Sequence, residues 1–413
     1  MNTMSRYAAV YAASRENPEA FWAEAAKAID WIKPPQRIFA PEAGVYGRWY
    51  PDATCNACYN ALDRHVAAGR GEQVALYYDS PVTATKRRVT YAELLAEVET
   101  LAAVIAGFGV AAGDRVVIYM PMIPEAIAAM LACARIGAVH SVVFGGFAAK
   151  ELVSRIDDAE PKLILAASCG VEPNRVVAYK PLLDRAMDLA RHKAAACLML
   201  QRPQAEAAMT RGRDHDWAQA MAAARAAGQK AAPVEMLATD PLYILYTSGT
   251  TGVPKGVVRD TGGYLVALYW SMANIYDVKP GEAFWTASDI GWVVGHSYIV
   301  YAPLILGATS VLYEGKPVGT PDAGAFWRVI SEYKVVAFFT APTALRAVRK
   351  EDPEAKLLEK YDLSVFRTLF LAGERADPET VAWAQKVVQR PIVDHWWQTE
   401  TGWAIAANPV GLG

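Results

Sequence analysis

At 413 residues, with 53% hydrophobic and 20% charged side chains, the chain has the proportions of a globular α/β protein, with core enough for about two or three domains. A net charge of −2 leaves no electrostatic footprint for nucleic acid, and an odd count of five cysteines argues against a disulfide framework. The first thirty residues carry charges throughout, unlike a secretory signal, so the expected location is the cytoplasm.

In chain order, residues 1–60 read as a helical arm. Phe21, Trp22, Ala25 and Ile29 recur at helical spacing between Glu19 and Ile32, and Lys33-Pro34-Pro35 ends the run. Cys55 and Cys58 have metal-like spacing but no second Cys or His pair nearby, so they read as packing residues. From Val74 onward strands and helices alternate. Arg115 to Met120 is a predicted strand, Pro124 to Ile136 a helix and Ala138 to Phe144 a second strand, and residues 196–200 and 335–340 repeat the pattern. That βαβ spacing implies parallel sheets covered by helices. Gly145-Gly146 follows a strand as a tight turn would. Arg202 to Lys230, rich in Ala, Arg and Gln, reads as surface helix and loop. Ile290 to Tyr313 holds no Asp, Glu, Lys or Arg and is long enough to cross a bilayer. His296, Pro303 and several glycines interrupt it, so the expectation is two buried strands and a helix beneath a site, with no membrane partner.

The most specific stretch is Tyr246-Thr-Ser-Gly-Thr-Thr-Gly-Val-Pro-Lys-Gly256. Gly249 and Gly252 let the backbone turn its N–H groups toward one point, and the hydroxyls of Thr247, Ser248, Thr250 and Thr251 add donors around it. Lys255 brings a mobile positive charge to the same loop. Upstream, Leu242 to Tyr246 is strand-like, so the loop hangs from a sheet edge, where ligands of α/β proteins bind. This is a triphosphate loop in character. It is not a Walker A motif, because Pro254 and Gly256 stand where that motif needs its second Gly and its Ser or Thr.

The run Tyr246 to Val258 resembles the phosphate-loop signature of the acyl-adenylate-forming superfamily. Asp289-Ile-Gly-Trp-Val-Val-Gly-His-Ser-Tyr-Ile-Val-Tyr301 and Asp394-His-Trp-Trp-Gln-Thr-Glu-Thr-Gly402 resemble its short-chain branch, the acetyl- and propionyl-CoA synthetases. The likeness runs from about Trp22 to the last residue. It implies an α/β fold: a large adenylate-forming core of parallel-rich sheets covered by helices, with a smaller β subdomain. It also implies a division into an N-terminal extension, 1–60, and an AMP-binding core, 61–413. Family members continue into a mobile C-terminal domain that carries a ribose-binding Asp and the adenylation Lys, so a core incomplete at its C-terminal end is expected here.

The implied reaction joins a carboxylate to coenzyme A at the cost of ATP through an acyl-adenylate, with Mg²⁺ as the cation. The carboxylate attacks the α-phosphorus, pyrophosphate leaves, and the CoA thiolate displaces AMP. An anion meets a polyanion in the first step, so catalysis rests on positioning and charge neutralisation. By resemblance, Thr247, Ser248, Gly249, Thr250, Thr251, Gly252 and Lys255 hold the β- and γ-phosphates. Gly373, Glu374, Arg375, Asp394, His395, Trp396, Gln398 and Thr399 form the nucleotide site, with Thr399 on the α-phosphate. Glu400 is the implied Mg²⁺ ligand, and Thr247, Lys255 and Glu400 are the implied catalytic set. Val293, Val294, Ala372 and Trp397 form the acyl pocket, with Trp397 as a floor that leaves room for a short chain only. The segment from Ala167 to Val177 resembles the one that meets the nucleotide end of CoA, with Arg175 on its phosphate or, alternatively, in a surface salt bridge. Arg375 and His395 depart from the family pattern, which has proline and Thr or Asn there. His296 reads equally as a core or a catalytic residue. Ala372, where the acetate pattern has Val, points to propionate. Acetate as substrate, and a nucleotide-binding fragment without full activity, stand as alternatives.

Overall fold

The computed structural model describes residues 5–247 and 254–413. Two seven-stranded sheets dominate it. The first runs, in spatial order, Asp214–Asp216, Ala196–Leu200, Leu163–Ala167, Arg115–Tyr119, Val139–Val142, Pro241–Thr247 and Lys255–Asp260. The second runs Ile392–Asp394, Thr368–Leu371, Val335–Thr340, Ala283–Thr286, Thr309–Tyr313, Val74–Ser80 and Thr85–Thr90. Each sheet is parallel throughout except for its last pair, an antiparallel hairpin at one edge. The central strands are buried on both faces, which explains their unbroken apolar runs such as Val335-Val-Ala-Phe-Phe-Thr340. Outside these sheets, the strands among the described residues form two-stranded pairs, one of them the hairpin Cys169–Glu172 with Arg175–Ala178.

Helices cover the sheets, and their starts are written locally. Tyr91–Gly107 opens on a capping box: Thr90 Oγ1 accepts from the Glu93 N–H and Glu93 accepts from the Thr90 N–H. Pro124–Arg135 opens on proline, whose missing N–H costs nothing in a first turn. The N-terminal arm forms two helices, Arg6–Glu16 and Pro18–Ala26. The second therefore stops before Lys33-Pro34-Pro35: Trp31 folds back to donate its Nε1–H to the Ala26 carbonyl at 2.8 Å.

Two expectations change. Between Ile290 and Tyr313 the chain makes helix and a single strand, not two strands. Val293–Gly295, His296–Tyr301 and Ala302–Leu306 form one continuous helical path, π-helical in its middle, before the Thr309–Tyr313 strand. Residues 295–313 are all buried, so apolarity on every side reflects an interior helix. The π turn precedes Pro303, where a regular ladder would lose a hydrogen bond. Gly295 is required because a Cβ there would collide with the backbone of Asp289 and Ile290. Among the described residues no helix is long and apolar enough to cross a membrane.

Arg202 is likewise no surface residue. It is buried beside Glu314, with Nη1–Oε1 at 2.9 Å and Nη2–Oε2 at 3.0 Å. Tyr78 Oη and Ser80 Oγ donate to the same carboxylate at 2.5 and 2.9 Å, and Arg202 also reaches the Cys169 carbonyl at 3.2 Å. The pair joins the segment after Ala196–Leu200 in the first sheet to the end of Thr309–Tyr313 in the second. Removing one member strands a buried charge, so Glu314→Gln should lower unfolding stability by about 3 kcal/mol in urea titrations. A loss below about 1 kcal/mol would mean that the carboxylate is replaceable there.

Candidate active site

In parallel sheets the loops at the carboxyl ends of the strands gather on one side. Here both sheets send those ends to the same cleft, which holds two cavities. One, of about 550 Å³, is lined by residues that follow strands of the second sheet: Ala287 and Ser288, Thr340 and Ala341, Ala372 and Gly373, and Trp397 to Glu400. Thr247, at the end of its strand in the first sheet, and Trp292 to Val294 complete the wall.

Of the residues implied by sequence, the structure thus brings together Thr247, Val293, Val294, Ala372, Gly373, Trp397, Gln398, Thr399 and Glu400 around one space. Val293, Ala372 and Trp397 are buried, while Gln398 and Glu400 are exposed at the mouth. Trp397 packs edge-on to Tyr298, ring centroids 5.6 Å apart, which fixes the indole as a rigid wall. Its Nε1–H and the Thr340 hydroxyl are buried without a protein partner, polar groups that water or a bound molecule would complete. Lys255 opens the strand Lys255–Asp260 directly opposite Thr247 in the ladder, and its side chain is exposed. Ser248, Gly249, Thr250, Thr251 and Gly252 lie outside the described residues.

The rest of the implied nucleotide set, Glu374, Arg375, Asp394, His395 and Trp396, adjoins these lining residues in sequence but does not line the cavity itself. Gly373 turns the chain with φ +99°, a conformation that glycine adopts freely. Glu374 is paired with Arg346 at 2.7 Å, Arg375 is exposed, and Asp394 accepts from the Ala376 N–H at 3.3 Å, so it braces the turn from 373 to 376. Trp396 is 63% exposed. His395 is buried behind the wall: Nδ1 donates to the Leu371 carbonyl and Nε2 accepts from Tyr276 Oη, both at 2.7 Å. Burial pushes its pKa down to about 4, so the ring is neutral and its bonds are internal. His296 is also buried, with Nδ1 3.1 Å from the Trp292 carbonyl, and is pushed down to about 4 by the same cause.

The second cavity, about 420 Å³, gathers residues that follow strands of both sheets, among them Met122, Phe144 to Gly146, Gly170 and Glu314 to Pro317. It shares Ala287 and Ser288 with the first, so the two spaces adjoin there. Arg175 lines it from the hairpin 169–178, with its Nε–H donating to Glu172 at 2.7 Å. Gly145 and Gly170 owe their lack of side chains to Tyr179, whose hydroxyl a Cβ at either position would strike.

The sequence did not single out Asp289 beyond its place at the head of a motif, although that position carried the signal. It follows Ser288 into the second cavity. Burial pushes its carboxyl up to about 6, against the Gly291 N–H at 2.7 Å and the Lys316 ammonium, both of which favour the charged form. Ala287, Ser288 and Thr340 were missed because nothing marks a loop residue as lining until the strands are ordered.

Residues 63–411 match the family described as AMP-binding enzyme, and residues 7–61 the one described as acetyl-coenzyme A synthetase N-terminus. The chain belongs to the AMP-binding enzyme family. It is 55% identical over 410 residues to acyl-CoA synthetase short-chain family member 3, mitochondrial, of Homo sapiens, across 99% of this chain and 59% of that protein. It is 45% identical over 402 residues to propionate–CoA ligase of Escherichia coli (strain K12), across 97% of this chain and 63% of that protein. A propionate–CoA ligase of Salmonella typhimurium matches at 46% over 397 residues, across 96% and 62%. The chain thus spans 59% to 63% of the length of these relatives.

The Asp289 carboxyl gives a pH dependence with a defined sign. Its folded pKa lies above the unfolded value of about 3.9, so the folded chain binds this proton more tightly and its stability falls as pH rises from about 4 through 6. Asp289→Asn keeps an acceptor for the Gly291 N–H and never ionises. Its stability relative to the native chain should therefore grow from pH 4 to pH 7 in thermal midpoints, and a difference independent of pH would contradict the raised value.

Proposed function

We propose that this protein is an AMP-forming short-chain acyl-CoA synthetase that converts ATP, propionate and CoA to propionyl-CoA, AMP and diphosphate through an acyl-adenylate. The observation that carries this reading is the pair of adjoining cavities at Ala287 and Ser288. One, of about 550 Å³, is walled by Trp397 and rimmed by Thr399 and Glu400, with room for a nucleotide beside a short acyl chain, and the other, of about 420 Å³, leads from it as a channel for a pantetheine arm.

In the first half-reaction a short carboxylate lies between Val293, Val294, Ala372 and Trp397 and attacks the α-phosphorus beside Thr399. Lys255 and the glycine-rich loop after Thr247 neutralise the departing pyrophosphate, and positioning supplies most of the acceleration. Glu400 would hold Mg²⁺: one exposed carboxylate at the mouth, completed by phosphate oxygens and water, suits a cation that keeps much of its hydration. Bound there, Mg²⁺ would add charge neutralisation to the phosphates. Gly373 and the turns at 373–376 and 394–398 border the adenylate, with His395 supporting the wall from behind. In the second half-reaction CoA reaches the acyl carbon through the second cavity past Ala287 and Ser288, with Arg175 at its outer rim toward the nucleotide end. The division at residues 60 and 61 into extension and core, and a cytoplasmic location, belong to the same reading.

Substrate size follows from Ala372. Val in its place would add two carbons to the buried wall, about the space that one further substrate methylene needs. Burying that methylene is worth about 0.8 kcal/mol, and a pocket discriminates over one methylene by about 1–3 kcal/mol. Propionate should therefore be preferred to acetate by a modest factor, and Ala372→Val should shift the preference toward acetate. Release of AMP with ATP, Mg²⁺, CoA and acetate, propionate or butyrate measures kcat/KM for each acid in the chain in its longest natural form. Acetate preferred by the native protein, or no shift in the variant, would overturn the assignment of propionate.

A further inference from the structure

The turn that presents Thr399 and Glu400 belongs to no sheet, yet every carbonyl from residue 398 to 403 accepts a hydrogen bond. Gln398 O accepts from the Thr401 and Gly402 N–H groups at 3.1 and 3.2 Å and from Thr401 Oγ1 at 2.9 Å. Trp403 O accepts from the same hydroxyl at 2.9 Å. The four carbonyls between them are served from outside the turn by two side chains. Arg259 Nη2 donates to Thr399 O at 2.7 Å and Glu400 O at 3.0 Å, its Nη1 donates to Thr401 O at 3.4 Å, and Ser297 Oγ donates to Gly402 O at 2.6 Å.

Arg259 is itself well held. Its Nε–H donates to Tyr243 Oη at 3.2 Å, and its guanidinium lies 6.0 and 5.6 Å from the ring centroids of Tyr243 and Tyr264. Ser297 Oγ lies 2.8 Å from Tyr264 Oη, so both donors share one aromatic support. Among the described residues no carboxylate stands within 4.0 Å of the guanidinium, whose charge is therefore spent on backbone oxygens. Gly402, with φ +75°, is the counterpart: a Cβ there would come within 2.9 Å of the Arg259 Cζ. Arg259 lies on the strand that Lys255 opens, so one guanidinium ties the hairpin of the phosphate loop to the turn of Thr399 and Glu400.

We propose that Arg259 is the positioning residue of this site: it sets the backbone beneath Thr399 and Glu400, with Ser297 as its partner, and brings a positive charge behind the phosphates. This rests on the nucleotide-site reading above. A planar fork that reaches three carbonyls is not reproduced by lysine, which keeps only the charge. Nor is it reproduced by glutamine, which keeps neither.

The test uses the 413-residue chain with AMP in isothermal titration well below its melting midpoint, together with hydrogen–deuterium exchange over residues 396–405. Arg259→Gln should weaken AMP by about tenfold or more, the loss typical when a supporting partner is removed, with Arg259→Lys between it and the native chain. Ser297→Ala should weaken AMP less, and all three variants should speed exchange in the turn without global loss of protection. Native AMP affinity together with native exchange in Arg259→Gln would overturn the proposal, and if that variant does not fold, the same result in Arg259→Lys would do so. A native chain that binds no AMP would overturn the nucleotide reading instead, and exchange in the variants would then decide the positioning role alone.

Discussion

The cleft depends on a constraint between the two sheets. Each is parallel but for one edge hairpin, one large apolar cluster takes residues from both, and the cavities lie where the carboxyl ends of both meet. The buried pair of Arg202 and Glu314 spans that meeting, with Tyr78, Ser80 and the Cys169 carbonyl filling its remaining hydrogen-bond capacity. Apolar side chains of similar volume could supply as much stability. They could not impose a direction. A bidentate ion pair fixes how the end of one sheet faces the end of the other, and Glu314 lines the second cavity while doing so.

Beneath the cleft the chain avoids charge. The helical path from Val293 to Leu306 contains no ionised side chain; the hydroxyls of Ser297, Tyr298 and Tyr301 are bonded inward, and His296 Nε2 is buried without a protein partner. His140 Nε2 lies 2.6 Å from Tyr301 Oη, and burial pushes both His140 and His296 well below the ordinary imidazole value. An uncharged floor lets cations in the surrounding elements act on anionic ligands at low effective dielectric. Lys255 opposite Thr247, Arg259 further along the same strand behind the turn at 399–402, and Lys316 in the second cavity are such cations. The site's electrostatics are thus assembled from strand and loop above a neutral interior.

Periodicity revealed the parallel strands well, because a strand buried on both faces is an unbroken apolar run flanked by helices. Residues 115–120, 196–200 and 335–340 were legible for that reason. The same rule failed at 290–313, where an interior helix is also apolar on all sides, and only burial by neighbouring elements distinguishes the two. It failed again at Arg202, since a guanidinium in an Ala/Arg/Gln-rich stretch looks solvated until Glu314, far along the chain, is seen to meet it. Motif residues fared unevenly. Trp397, Ala372, Val293 and Thr399 do line one space, whereas His395, two positions before Trp397, has both ring nitrogens taken up by Tyr276 and the Leu371 carbonyl, partners that no local pattern shows.

What the sequence determined by itself was local or modular: the alternation of strands and helices, the caps and prolines that start the helices, the loop of glycines and hydroxyls, and the family to which the motifs belong. Tertiary structure alone decided which strand ends share a cleft, that two cavities adjoin at Ala287 and Ser288, and which buried polar groups have partners. Arg259 shows the difference most clearly. Its role is to bond carbonyls some 140 residues away, as with Glu400. A backbone carbonyl is the same in every residue, so no side-chain pattern could have announced the contact.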